Sequence, residues 1–174
     1  MCHCADSKGI VDAFAAAVPW ILVIAGWFFV AQDHDRRERR KELRLALTKL
    51  IERIHACEKE AHEYWMLPPE SERAAVLGVS VKRLLQAIAA ERLRLEDSCG
   101  MATTAREFIS LRRACTGGDF ERTNRAAEPA ASARLSSISE SAIDLVEKLE
   151  TEFALFTDRS LKSSLRQLVG RQIS

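Results

Sequence analysis

Little in this 174-residue sequence breaks a helix: it holds 7 Gly and 4 Pro, too few for collagenous repeats or a Pro/Gly-rich disordered chain. Five Cys exclude a disulfide-dense secreted scaffold. Charge of one sign is also missing. The 26 Lys and Arg against 25 Asp and Glu leave a net charge of +1, which does not suit a nucleic-acid binder, and 47% hydrophobic content excludes a long disordered chain. No stretch alternates polar and apolar residues, and β-branched residues cluster in one apolar run alone, so no strands are expected. Also absent are a glycine-rich phosphate loop, a Gly-x-Ser-x-Gly elbow and a His-Glu-x-x-His pair. Without those carriers the chain reads as a non-enzyme with no cofactor.

What is present is unevenly distributed. Residues 13–31 read AFAAAVPWILVIAGWFFVA, in which 17 of 19 are hydrophobic and none is charged. At 1.5 Å per residue such a helix covers about 28 Å, close to the hydrocarbon thickness of a bilayer. A buried core helix would keep a polar edge, so the run is expected to span a membrane. Pro19 and Gly26 are tolerated there, and Trp27, Phe28 and Phe29 suit the interface. A cleaved signal peptide is not expected, because Lys8 is the one basic side chain among the first 12 residues and no small-x-small site follows the run.

The flanks set the expected orientation. Arg36, Arg37, Arg39, Arg40, Lys41 and Arg44 form a basic collar after the run, against Lys8, Asp6 and Asp12 before it. Asp33, Asp35, Glu38 and Glu42 are interleaved with the collar but weigh little in the positive-inside rule. That rule puts the N-terminus outside and the C-terminal part in the cytoplasm. The excess of 19 Arg over 7 Lys, with 25 Ala, suggests a GC-rich bacterial genome and hence a bacterial inner membrane.

Between Gly26 and Pro68 the chain has no Gly or Pro and is rich in strong helix formers, so one helix is expected to continue to about Trp65. Its apolar positions Leu43, Leu47, Leu50, Ile54, Cys57, Ala61 and Tyr64 fall at spacings of 4 and 3 in alternation. This is a heptad seam that requires a partner helix, from another protein, a second copy or the same chain. Residues 33 to 65 would extend about 50 Å, a stalk or the long arm of a bundle.

Pro68-Pro69-Glu70 opens a second helix to about Asp97, with Leu77, Val81, Leu84, Ile88 and Leu95 on one face, a weak point at Gly78 and a stop at Gly100. A third, from about Ala102 to Cys115, shows Phe108, Leu111 and Cys115 and ends at Gly117-Gly118. Residues 119 to 131 read as a polar connection. A fourth helix, capped by serines, is expected from Ser132 to Thr157 with Leu135, Ile138, Ala142, Leu145, Leu149, Phe153 and Phe156 inward, and a short fifth from Asp158 to Gln172 with Leu161, Leu165 and Leu168. The expected fold class is therefore all-α: one N-terminal transmembrane helix continuing into a cytoplasmic bundle of four to five helices. The expected segments are a tail at 1–12, the span at 13–31, the collar and heptad helix at 32–66, and the remaining helices at 67–174.

Few residues offer chemistry. Cys2-His3-Cys4 resembles a metal fragment, yet adjacent ligands cannot close a tetrahedral site alone, and a solvated tail is expected. Cys57, Cys99 and Cys115 lie near apolar faces, where reduced buried thiols are the ordinary outcome. His55, Glu58 and His62 share one helix face and form the weak candidate for a metal site, needing a further ligand from another helix. Glu140, Asp144, Glu147 and Glu150 on the fourth helix come without a His, so the expectation is a solvated face with ion pairs. The loop RRACTGGDFER, residues 112–122, is the most distinctive. Arg112, Arg113, Gly117, Gly118 and Arg122 suit an anionic ligand or a partner, while Phe120 suits an aromatic plug into the bundle.

Three functions compete at this stage. A membrane-anchored protein-interaction, scaffold or regulatory module agrees with the seam and the missing catalytic motifs. A membrane-active effector that oligomerises and perturbs the bilayer, in the manner of toxins, holin-like proteins and defence effectors, would rest on Ala13 and Ala17 as a small-xxx-small pair. A tethered metal- or nucleotide-dependent enzyme would rest on His55, Glu58, His62 and the Gly117 loop. The expected partners are the bilayer and another protein or a second copy, without nucleic acid.

Overall fold

A computed structural model describes residues 6–170, and within its helices most side chains before Arg37 and those of 159–170 lie outside the description. Four helices follow one another: α1 Asp6–Met66, α2 Glu72–Cys99, α3 Ala105–Thr116 and α4 Ala133–Gly170. No strand occurs among the described residues, so the all-α expectation holds. The chain divides into two units, 1–44 and 45–174, with the division inside the segment expected as collar and heptad helix.

Unit 1 is the first part of α1, which is helical already from Asp6, within the stretch expected as a tail. Among the described residues no helix is long and apolar enough to cross a membrane. Most side chains of the expected span 13–31 lie outside the described residues, as do Cys2, His3, Cys4, Lys8 and Arg36. Trp20, Val23 and Trp27, which are described, are 71, 65 and 75% exposed. In the collar, Arg37, Arg39, Lys41 and Arg44 are exposed and Arg40 is half-buried.

Unit 2 is a helical bundle, and the heptad seam from Leu47 to Tyr64 lies inside it. Leu47, Leu50, Ile54, Cys57, Ala61 and Tyr64 are all buried, while Leu43 at the head of the seam is half-buried. The partner that the seam requires is thus supplied by the chain itself, from the apolar stripes of α2, α3 and α4. Val81, Ile88 and Leu95 of α2 are buried as the periodicity predicts, but Leu77 and Leu84 are only half-buried and Leu85 takes a core position. Phe108, Leu111 and Cys115 of α3 are buried, and so are Leu135, Ile138, Ala142, Leu145, Leu149 and Phe153 of α4.

The boundaries follow local chemistry. Gly100 ends α2 in the left-handed conformation, φ 59°, with its N–H on the Glu96 carbonyl, a geometry that a side chain would strain. Ser132 starts α4, accepting the Leu135 N–H at its hydroxyl, 3.3 Å, and the Ser136 N–H at its carbonyl, 3.2 Å. The expected break at Asp158 does not occur: α4 runs on to Gly170. No Gly or Pro interrupts 133–169, and a single Asp costs a helix interior too little to end it. The side chains of Leu161, Leu165 and Leu168 lie outside the described residues.

Candidate functional site

The weak metal candidate does not assemble. His55 Nδ1 lies 3.5 Å from Glu58 Oε2, whereas His62 turns to α4, its Nε2 3.1 Å from the Leu135 carbonyl and 3.2 Å from Ser139 Oγ. Among the described residues no group of three His, Cys, Asp or Glu is placed to hold a metal ion. Ser139, His62 and Glu58 do form a hydrogen-bonded trio, but its proton order is that of a tie between helices. A carbonyl can only accept, so His62 Nε2 carries the proton, and Ser139 gives its own to Glu58 Oε1 at 2.6 Å. His62 therefore does not stand as a base toward Ser139, which separates this trio from a nucleophile–base pair.

The chemically dense region is the C-terminal end of α1. There the orphan carbonyls of the last turn are met by a segment some sixty residues on: Arg125 Nη2 donates to the Tyr64 carbonyl at 2.9 Å, and the Glu128 N–H to the Trp65 carbonyl at 2.8 Å. Arg125, buried to 6% exposure, also lies over the Tyr64 ring at 4.4 Å, while Arg134 lies over the Trp65 ring at 4.0 Å. Phe120 closes the aromatic group, 4.7 Å from Tyr64 and 6.1 Å from Trp65 between ring centroids. Those contacts give it the place of an aromatic plug into the bundle. The Trp65 indole N–H donates to the Cys115 carbonyl at 3.0 Å and ties α1 to α3. Gly78 of α2 makes room for this group, since a Cβ there would stand 3.2 Å from the Tyr64 ring.

The distinctive loop splits in two around this group. Glu121 holds a positive φ of 66°, a conformation that costs a non-glycine residue about 1 kcal/mol. Its N–H is held by the Tyr64 hydroxyl at 2.9 Å and its carboxylate by Lys82 at 2.5 Å. Arg122 pairs with Asp119 at 2.9 Å, and Arg112 is exposed. Arg113, Gly117 and Gly118 instead line an open cleft of about 790 Å³ between the end of α3 and the start of α4, together with Arg134, Ser137 and Ser141. Gly118 has φ 65°, and a Cβ on it would meet Arg134 Nη2 at 3.1 Å, so both backbone and space require glycine. Of the six loop residues singled out, three thus face one cleft; Arg125, Arg134 and Ser141, absent from that set, complete the region.

The core below this group holds two thiols. Cys57 of α1 and Cys115 of α3 are both buried and unoxidised, and the Cys115 thiol is pushed far above its ordinary value of 9.0 by its hydrogen bond with Cys57, by burial and by the nearby Glu58. The proton thus stays on in the folded chain. Unfolding at high pH releases it, so the unfolded state binds fewer protons and stability falls as pH rises through 9. The expected slope is about 1.4 kcal/mol lost per pH unit above that value. Urea titrations of the protein and of Cys115→Ala at several alkaline pH values check this: the variant should lose most of the added slope, and equal slopes would refute it.

Comparison with known proteins finds no matching family model, no similar curated protein and no similar solved structure.

Proposed function

We propose that the chain is a single-pass membrane protein whose helical bundle acts on the cytoplasmic face of a bacterial inner membrane as a protein-interaction, scaffold or regulatory module. The observation that carries this reading is the apolar run 13–31 followed by the basic collar from Arg36 to Arg44. The exposure of Trp20, Val23 and Trp27 supports it. They stand at i, i+3 and i+7 of α1, and such a stripe of large apolar side chains lacks cover in water but not in hydrocarbon. Because the seam is consumed within the bundle, the partner meets the outer surface of the helices.

The test is topological. The chain should resist alkaline carbonate extraction, a C-terminal reporter should be active only on the cytoplasmic side, and Cys2 and Cys4 should react with an impermeant maleimide in intact cells. Release by carbonate, or a C-terminus outside, would overturn the reading. Replacing the six basic collar residues by Gln should mix the orientations, which the same reporter detects. A second reading, the membrane-active effector, draws on the same Trp20, Val23 and Trp27 stripe, which equally suits helix association within a bilayer. Collapse of the membrane potential on induction would favour it, and an unchanged potential would remove it.

A further inference from the structure

The cleft between α3 and α4 carries donors that the fold does not use. Ser141, on α4, is nine-tenths buried against the cleft, yet its hydroxyl makes no hydrogen bond among the described residues. Its oxygen is not one of the buried polar atoms left without a partner, so the hydroxyl opens to the cleft, where an entering ligand can take it. Around it stand the exposed Ser137 and Arg113, which form no hydrogen bond or ion pair of their side chains among the described residues. Arg134 is fixed from two sides, its Nη1 on the Gly117 carbonyl at 3.1 Å and its Nε on Glu128 at 3.3 Å. Its Nη2 remains unspent beside Gly118.

Two cations against the single carboxylate of Glu128, itself engaged by Arg134, leave the cleft net positive. The first turn of the 38-residue α4 borders it at Ala133, adding the positive end of the helix dipole. Farther along α3 and α4 the neighbouring groove is lined by Glu107, Asp144 and Glu147 against Arg106 and Lys148, which confines an anion to the loop end.

We propose that this cleft binds a phosphate group, taken from a soluble phosphate monoester, with Arg113 and Arg134 Nη2 on its charged oxygens and the Ser137 and Ser141 hydroxyls on the remaining ones. Planar guanidinium donors and hydroxyls, beside a helix N-terminus, form the donor set that a tetrahedral dianion requires. The inference rests on the cleft alone and is independent of membrane anchoring.

The experiment is a calorimetric titration of the full-length chain in detergent micelles with inorganic phosphate and, separately, with phosphoethanolamine. Saturable binding of both is expected. Arg113→Ala should weaken each about tenfold and Ser141→Ala by a smaller factor, while Arg122→Ala, a cation outside the cleft, should bind as the unaltered chain does. Absence of saturable binding, or equal weakening by Arg113→Ala and Arg122→Ala, would overturn the site. Binding of inorganic phosphate without the monoester would overturn the ester assignment. Unchanged circular dichroism of each variant shows that the loss belongs to the site and not to the fold.

Discussion

Trp65→Ala is expected to cost unit 2 about 3–5 kcal/mol, the range for emptying a buried aromatic site. Trp65 is 1% exposed and the largest of the fully buried side chains. Its removal opens a void that Tyr64, at a T-shaped 5.3 Å, and Phe120 cannot fill without leaving their other partners. It also strands the Cys115 carbonyl, whose indole donor lies at 3.0 Å, and takes away the ring beneath Arg134. Trp65→Phe separates these effects. It keeps most of the apolar volume and removes the donor, so about 1–3 kcal/mol, the cost of an unsatisfied buried group, should remain. Urea unfolding followed by far-ultraviolet circular dichroism, which ignores Trp20 and Trp27, gives both numbers. A loss below about 1 kcal/mol for Trp65→Ala would mean that the end of α1 is not the fixed point that its contacts describe.

The parts of this fold that were legible in the sequence are those set by repetition. Leu47, Leu50, Ile54, Cys57, Ala61 and Tyr64 follow one period along one helix, and burial on one side is the direct consequence. What the period does not contain is the address of the partner, and so a seam filled from within reads the same as one awaiting another chain. The boundary glycines were equally readable, because Gly100 and Gly118 announce left-handed backbone. Arg92, Arg125 and Arg134 were not. A charged residue in a polar stretch reads as solvated by default, and the burial of Arg125 depends on the carbonyls of Tyr64 and Trp65, which lie 61 and 60 positions earlier. The same limit hid Ser141, one serine of several on α4, distinguished only by the cleft that α3 forms against it. Of the six loop residues that the sequence grouped, the fold places Phe120 in an aromatic plug, Arg122 in a surface ion pair and Arg113, Gly117 and Gly118 on a cleft wall, and leaves Arg112 exposed. The apolar run 13–31 stands apart from all of these, since its reading as a span rests on composition and most of its side chains lie outside the described residues.

The second large effect lies at the corner between α2 and α3, where a charge pair has been taken out of water. Arg92 and Glu96 are 6% and 9% exposed and meet at 2.6 Å. The same Glu96 oxygen also accepts the Thr104 N–H at 2.7 Å and the Thr104 hydroxyl at 2.8 Å, so one carboxylate holds the helix pair and the start of α3 together. Arg92 is incompletely satisfied: its Nε is buried without a partner, and its guanidinium leans on the Phe108 ring at 5.5 Å. Removing the counter-charge should therefore be costly. Glu96→Gln keeps an acceptor for Thr104 yet leaves a buried cation unpaired, and about 3–5 kcal/mol of destabilisation is expected. Arg92→Met alone leaves the carboxylate buried, although with its two Thr104 donors, and should cost less. Combining the two removes both charges and retains the acceptor, so the double variant should be more stable than Glu96→Gln alone. A double-mutant cycle by urea unfolding reads this directly. If the two single losses simply add, the pair does not act as a unit, and the corner is held instead by the apolar contacts of Leu95, Phe108 and Leu111. If they fail to add in the expected direction, a single carboxylate fixes the geometry of α3, and with it one wall of the cleft that Arg113 and Ser141 share.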